Sequence, residues 1–164
     1  MSSEEIYNYL KVNEETITGG QPTEDQLRAV AAEGFTTVIN LATLEPPYSL
    51  VDEAGLVRST GMAYYHIPVD WEAPKARDFE LFEETMAQLP EGKTLIHCIA
   101  NFRVTAFYSL YAQKHLGWSE AQADEFRATI WAGSNQPVWE QFVAQMKRRI
   151  TGASEDSEVK INPS

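Results

Sequence analysis

Two hydrophobic periods alternate along this chain, short β-branched runs giving way to longer stretches in which apolar residues recur at helical spacing. Thr16-Ile17-Thr18 reads as a short extended segment closed by Gly19-Gly20-Gln21-Pro22. Thr23 with Gln26 makes a capping-box pattern that opens a helix to about Glu33, and Gly34 ends it. Thr36 to Leu41 has the β-branched content of a buried strand, followed by a polar connection through Glu45-Pro46-Pro47 and a helix from Leu50 to about Arg58. Ala63 to Val69 reads as a further strand with Pro68 at its edge or end, and a loop follows over Asp70 to Pro74. Between Lys75 and Leu89, Phe79, Phe82 and Met86 are spaced for a helix covering a sheet, before Pro90-Glu91-Gly92 turns into an apolar strand, Thr94-Leu95-Ile96. Helical spacing resumes from Val104 to near Gly117. Ser119 with Gln122 repeats the capping box, helices run on to about Arg149, and Trp118, Trp131 and Trp139 are read as packing residues.

Alternation of this kind implies an α/β fold, a single domain with a small, mainly parallel central sheet flanked by helices; ligands of such sheets bind beyond the carboxyl ends of the strands. With 164 residues and 43% hydrophobic content the chain has enough for one core, expected over residues 1–151, with 152–164 as a flexible acidic tail. A formal net charge of −11 opposes nucleic acid and anionic membrane surfaces as partners. No apolar run approaches the roughly 20 residues of a membrane span. The single cysteine excludes an intramolecular disulfide and fits a reducing compartment, so a cytoplasmic location is the default expectation, or a periplasmic one if a leader has been removed.

That cysteine lies in His97-Cys98-Ile99-Ala100-Asn101-Phe102-Arg103, where a strand gives way to a helix. Free N–H groups at a helix entrance stabilise negative charge, on a sulfur or on a bound oxyanion, and favour the nucleophilic thiolate. Arg103 adds a planar fork of donors suited to a tetrahedral oxyanion, and His97 is read as a residue that orients the loop.

These residues resemble the phosphate-binding loop of protein tyrosine phosphatases, in particular the compact dual-specificity type. Gly20-Gln21-Pro22-Thr23, Val38-Ile39-Asn40-Leu41 and Ile67-Pro68-Val69-Asp70 further resemble a bacterial subgroup, the domain of unknown function 442, also found attached to beta-lactamase-hydrolase-like proteins. The resemblance implies a dual-specificity-phosphatase-like fold and phosphomonoester hydrolysis without metal or cofactor. Cys98 would attack phosphorus and Arg103 with the amides of Ile99, Ala100, Asn101, Phe102 and Val104 would hold the oxygens. Asp70 would protonate the leaving group, with Glu72 in reserve. The expected partner is a phosphate ester or other oxyanion.

The loop departs from the phosphatase pattern, which has five residues between cysteine and arginine; here there are four. One residue fewer removes an amide and about 3.3 Å of reach. If Arg103 keeps the arginine's place, Val104 stands where a hydroxyl is usual; if the helix keeps its frame, Thr105 supplies that hydroxyl and Val104 replaces the arginine. Asn101 takes a place where glycine is preferred, and asparagine tolerates a left-handed backbone. The expectation is an oxyanion-binding loop with weak hydrolytic activity. Two alternatives stay open: a catalytically inactive pseudophosphatase, and a rhodanese-like sulfurtransferase, whose loop is typically one residue shorter than a phosphatase's.

Overall fold

Val38 and Leu95 pair across neighbouring strands, as do Ile39 and Ile96 beside them, and successive residues of a strand face opposite sides of a sheet. All four side chains are fully buried, so the sheet must be covered on both faces. In a computed structural model, which describes the backbone of residues 2–161 and the side chains of residues 2–152, that is the arrangement. The strands β1 (Leu10–Asn13), β2 (Thr16–Gly19), β3 (Phe35–Asn40), β4 (Ala63–His66) and β5 (Lys93–His97) form one sheet in the order β1-β2-β5-β3-β4. Only β1 and β2 pair antiparallel. The helices are α1 (Glu24–Ala32), α2 (Glu53–Ser59), α3 (Ala76–Ala87), α4 (Phe102–His115), α5 (Glu120–Trp131) and α6 (Pro137–Ile161).

One face of the sheet carries Leu27, Val30 and Val57 from α1 and α2. The other carries the larger cluster, in which Phe79 and Phe82 of α3 meet Phe107 of α4 edge to face at 5.6 and 5.9 Å. Burying each such ring stabilises the fold by about 1.5–3 kcal/mol. Trp131 and Trp139 are buried here and Trp118 packs against the cluster, which gives all three the packing roles read from the sequence.

Both capping boxes are formed, Thr23 with Gln26 and Ser119 with Gln122, each satisfying backbone donors that a helix start leaves free. Three boundaries differ from the sequence reading. β1 is a four-residue edge strand, too short to give a clear alternation. α2 begins at Glu53 because the Asp52 carboxylate accepts from Gly55 N–H and fixes the cap there. β4 ends at His66, although Ile67 and Val69 still donate to Asn40 and Leu41 carbonyls at 2.9 and 3.0 Å, which leaves the donorless Pro68 between them. The acidic segment 152–164 continues α6 as far as Ile161, and its last three residues lie outside the described ones. Among the described residues no helix is long and apolar enough to cross a membrane.

β5 lies between β2 and β3, so the chain leaves it at the middle of the sheet's carboxyl edge. The segment after β5 packs closely on the one after β2. A Cβ on Gly20 would lie 2.5 Å from the Ile99 carbonyl oxygen, and only glycine permits that approach.

Candidate active site

Asn101 makes the turn from β5 into α4. Its backbone is left-handed, with φ of 67°, and its buried side-chain amide donates to the Asn8 carbonyl at 2.8 Å and to Thr18 Oγ1 at 3.0 Å. Asparagine therefore replaces glycine's conformational freedom and adds two anchors that glycine lacks. Asn8 Nδ2 donates in turn to the Ala100 carbonyl at 3.0 Å, and Gln21 N–H to the Ile99 carbonyl at 2.9 Å. With these carbonyls tied back toward β1 and β2, the loop leads into the first turn of α4, where the N–H groups of Phe102, Arg103 and Val104 have no intrahelical acceptor.

Cys98 lies at the base of a cleft of about 250 Å³, lined also by Ile99, Ala100, Phe102, Arg103, Glu45, Trp71 and Gln136. The cysteine is 1% exposed and Arg103 4%, so both are enclosed by the walls of the cleft. The guanidinium donates through Nη1 to the Val69 carbonyl at 2.8 Å and through Nη2 to Glu45 Oε2 at 2.8 Å. It also lies over the Trp71 ring, 5.7 Å from the centroid, a cation–π contact that fixes its plane. Trp71 is itself stacked on Trp139 at 5.4 Å and set edge-on to Phe102. Cysteine, arginine and helix entrance thus share one cleft despite the four-residue spacing.

The other residues named from the sequence fall around it. Val104 is buried and apolar. The Thr105 hydroxyl donates to the Asn101 carbonyl at 2.7 Å and accepts from Trp131 Nε1 at 3.0 Å. Among the described residues, then, no hydroxyl is hydrogen-bonded to the Cys98 sulfur. Asp70 is exposed, directly after the Val69 carbonyl that holds Arg103, and its carboxylate accepts from Glu72 N–H at 2.9 Å in a local turn. Its charge reaches Glu45, but it does not line the cleft. Glu72 is exposed on the same turn.

Two carboxylates that the sequence reading did not single out hold the site. Glu45 faces Arg103 inside the cleft. Burial pushes its carboxyl up and Asp70 adds to that, but the Thr43 hydroxyl, 2.6 Å from Oε2, and the guanidinium outweigh both and hold it below the usual carboxylate range. Glu53, in the first turn of α2, is 7% exposed and accepts from His97 Nε2 at 2.5 Å and from Gln21 Nε2 at 2.8 Å. Burial would raise its carboxyl, yet the charge and hydrogen bond of His97, followed by Gln21 and His66, hold it low. The other ring nitrogen of His97, Nδ1, faces the Cys98 carbonyl at 3.0 Å. An orienting role for His97 therefore has a geometric basis, a hydrogen-bond chain from Gln21 through Glu53 and His97 to the backbone of the cysteine.

The Glu45 carboxylate holds Nη2 of Arg103, so an oxyanion that binds this guanidinium must compete with it. Glu45→Gln keeps an acceptor for Nη2 while removing the charge, and should raise affinity for inorganic phosphate about tenfold, equivalent to about 1.4 kcal/mol. Calorimetric titration checks this; unchanged or weaker binding would show that the carboxylate only positions the arginine. A larger hollow of about 400 Å³ between α5 and α6 is lined by Arg127, Lys147 and Arg148 together with the acids Glu120 and Glu140. Its Lys147 is paired with Glu120 and Asp124, and its Arg127 with Asp124.

No family model matches the chain. A crystallised phosphatase candidate of the domain of unknown function 442 (DUF442) from Shewanella putrefaciens CN-32 is 31% identical, with a TM-score of 0.80 over 90% of this chain and 95% of that one. The beta-lactamase hydrolase-like protein of Agrobacterium fabrum (strain C58) is 29% identical over 104 residues, 62% of this chain and 24% of that protein. The chain thus spans about a quarter of the length of that curated relative. Likeness of fold alone extends to Tk-PTP in its active form, at 22% identity and a TM-score of 0.67 over 87% of this chain and 98% of that one. It extends also to the core catalytic domain of the PP-IP phosphatase SIW14 from S. cerevisiae, solved with citrate, at 15% identity and a TM-score of 0.68 over 91% and 94% of the two chains.

Proposed function

Since the chain belongs to the DUF442 family and has the fold of the protein tyrosine phosphatases, we propose that it is a cysteine-dependent phosphatase of low turnover. The observation that carries this reading is the enclosure of Cys98 and the Arg103 guanidinium in one cleft at the entrance of α4. The ester's phosphoryl oxygens take hydrogen bonds from the first-turn amides and from Arg103, displacing Glu45 from it. The Cys98 thiolate attacks phosphorus in line, an S–P bond forms and the P–O bond to the alcohol breaks. Asp70, once released from its turn, gives its proton to the departing oxygen. Water then attacks phosphorus, the S–P bond breaks, inorganic phosphate leaves with the thiolate restored, and the ionised Asp70 takes the proton of the water.

The second step is the slow one. With Val104 buried and apolar and the Thr105 hydroxyl committed to Asn101 and Trp131, no hydroxyl among the described residues is bonded to the sulfur to assist departure of the thiolate. A phosphoenzyme should therefore accumulate. Stopped-flow mixing with 4-nitrophenyl phosphate is expected to give a burst of nitrophenol close to one equivalent, followed by slow turnover. Turnover without a burst would rule out the slow second step, and thiocyanate formation from thiosulfate and cyanide would favour sulfur transfer instead. The pairing of Glu45 with Arg103 favours a second reading, a binding module without catalysis. Phosphate binding with neither burst nor turnover would select it.

A further inference from the structure

The organic part of the substrate can be read from what adjoins the Cys98 cleft. Ile99 and Ala100 line that cleft and also a second groove of about 560 Å³, whose other walls include Tyr7, Pro22, Tyr48 and Leu50. The two spaces share the wall formed by Ile99 and Ala100, so a group attached to a phosphate held over Cys98 would lie beside the groove. Tyr7 and Tyr48 are 61% and 64% exposed, and two tyrosines left so open beside one loop present apolar faces to whatever enters.

Charge narrows the choice. Arg103 is the one cation among the residues lining either space, and Glu45 already holds it. Glu24 lines the groove, and Asp70 and Glu72 stand exposed on the loop that carries the cleft residue Trp71. A second phosphate or a carboxylate on the substrate would meet these acids without a cation to receive it, in a chain of net charge −11. The groove's volume is that of a small-molecule pocket.

Resting on the proposed anion site, we infer that this cleft and groove select phosphate monoesters of small apolar or aromatic alcohols that carry no further anionic group. The single phosphate sits over Cys98 and the ring lies between Tyr7 and Tyr48. Esters bearing several phosphates are excluded by the acidic rim.

Calorimetry on the Cys98→Ser protein tests this without relying on turnover, using inorganic phosphate, 2-naphthyl phosphate, inositol hexakisphosphate and a short phosphotyrosine peptide. Burial of the ring should make naphthyl phosphate bind about tenfold or more tightly than inorganic phosphate. That ratio should fall to about one in Tyr7→Ala and in Tyr48→Ala, two truncations at exposed positions. Equal affinity for naphthyl and inorganic phosphate, or tightest binding by inositol hexakisphosphate or by the peptide, would overturn the inference while leaving the anion site intact. If inorganic phosphate itself does not bind, the anion site and the inference fall together. If the ring preference holds but the wild type never releases alcohol, catalysis falls and the specificity stands.

Discussion

Cys98→Ser is expected to lower turnover of an aryl phosphate by about 10⁴-fold or more, the scale of loss when a nucleophile is removed. The same protein should keep its fold and its affinity for inorganic phosphate. A thiolate can be sustained at a helix entrance by amide dipoles alone, whereas a serine hydroxyl needs a base to take its proton. The neighbouring histidine is not placed to be that base, because Nδ1 faces the Cys98 carbonyl and Nε2 is bonded to Glu53. The substitution is nearly isosteric at a position with 1% exposure, and it leaves the loop amides and Arg103 where they are. Nitrophenol release and phosphate calorimetry on the same preparation separate the two effects. Serine protein retaining more than about a hundredth of wild-type turnover would mean that another group attacks phosphorus.

How much of this site is legible in sequence depends on the distance over which each interaction acts. The strand, loop and helix around Cys98 are encoded within some twenty residues: an apolar run for β5, an asparagine able to turn left-handed, and apolar spacing for α4. Both capping boxes are equally local. Glu45 and Glu53 are not, because they act on partners 58 and 44 positions away, and no spacing rule connects a carboxylate to a site that only the fold brings near. One precedes a pair of prolines and the other opens a short helix, contexts that ordinarily mean a solvated acid. The four-residue gap between Cys98 and Arg103 is also ambiguous by itself, since either Arg103 or Val104 can take the arginine's place. Arg103 enters the cleft because the Val69 carbonyl, Glu45 and Trp71 converge on it from two other loops. Asp70 illustrates the opposite case, a loop placed as expected whose carboxylate is held by its own turn.

Glu53→Ala should destabilise the fold by about 2–6 kcal/mol, because each buried donor left without its acceptor costs about 1–3 kcal/mol. Here the deletion strands two groups, the His97 ring and the Gln21 amide, both of which lose a carboxylate acceptor. It also removes the side-chain hydrogen bond that ties α2 to β5 through His97. The pH dependence supplies a second check. The Glu53 carboxyl is held below its ordinary value of about 4.3, so its contribution is fully present above that value and is lost as pH falls through the lower folded-state value. Urea denaturation of wild type and Glu53→Ala should therefore give stabilities that differ most near neutrality and converge in the acid range below about pH 4. A variant within about 1 kcal/mol of wild type at pH 7 would show that the pair is not holding the loop. If the loss appears at pH 7 but the difference does not narrow on acidification, the stabilisation comes from packing around Glu53 and not from its charge. Where the variant stays folded, slower turnover with unchanged phosphate affinity would assign Glu53 a positioning role, acting on Cys98 through His97.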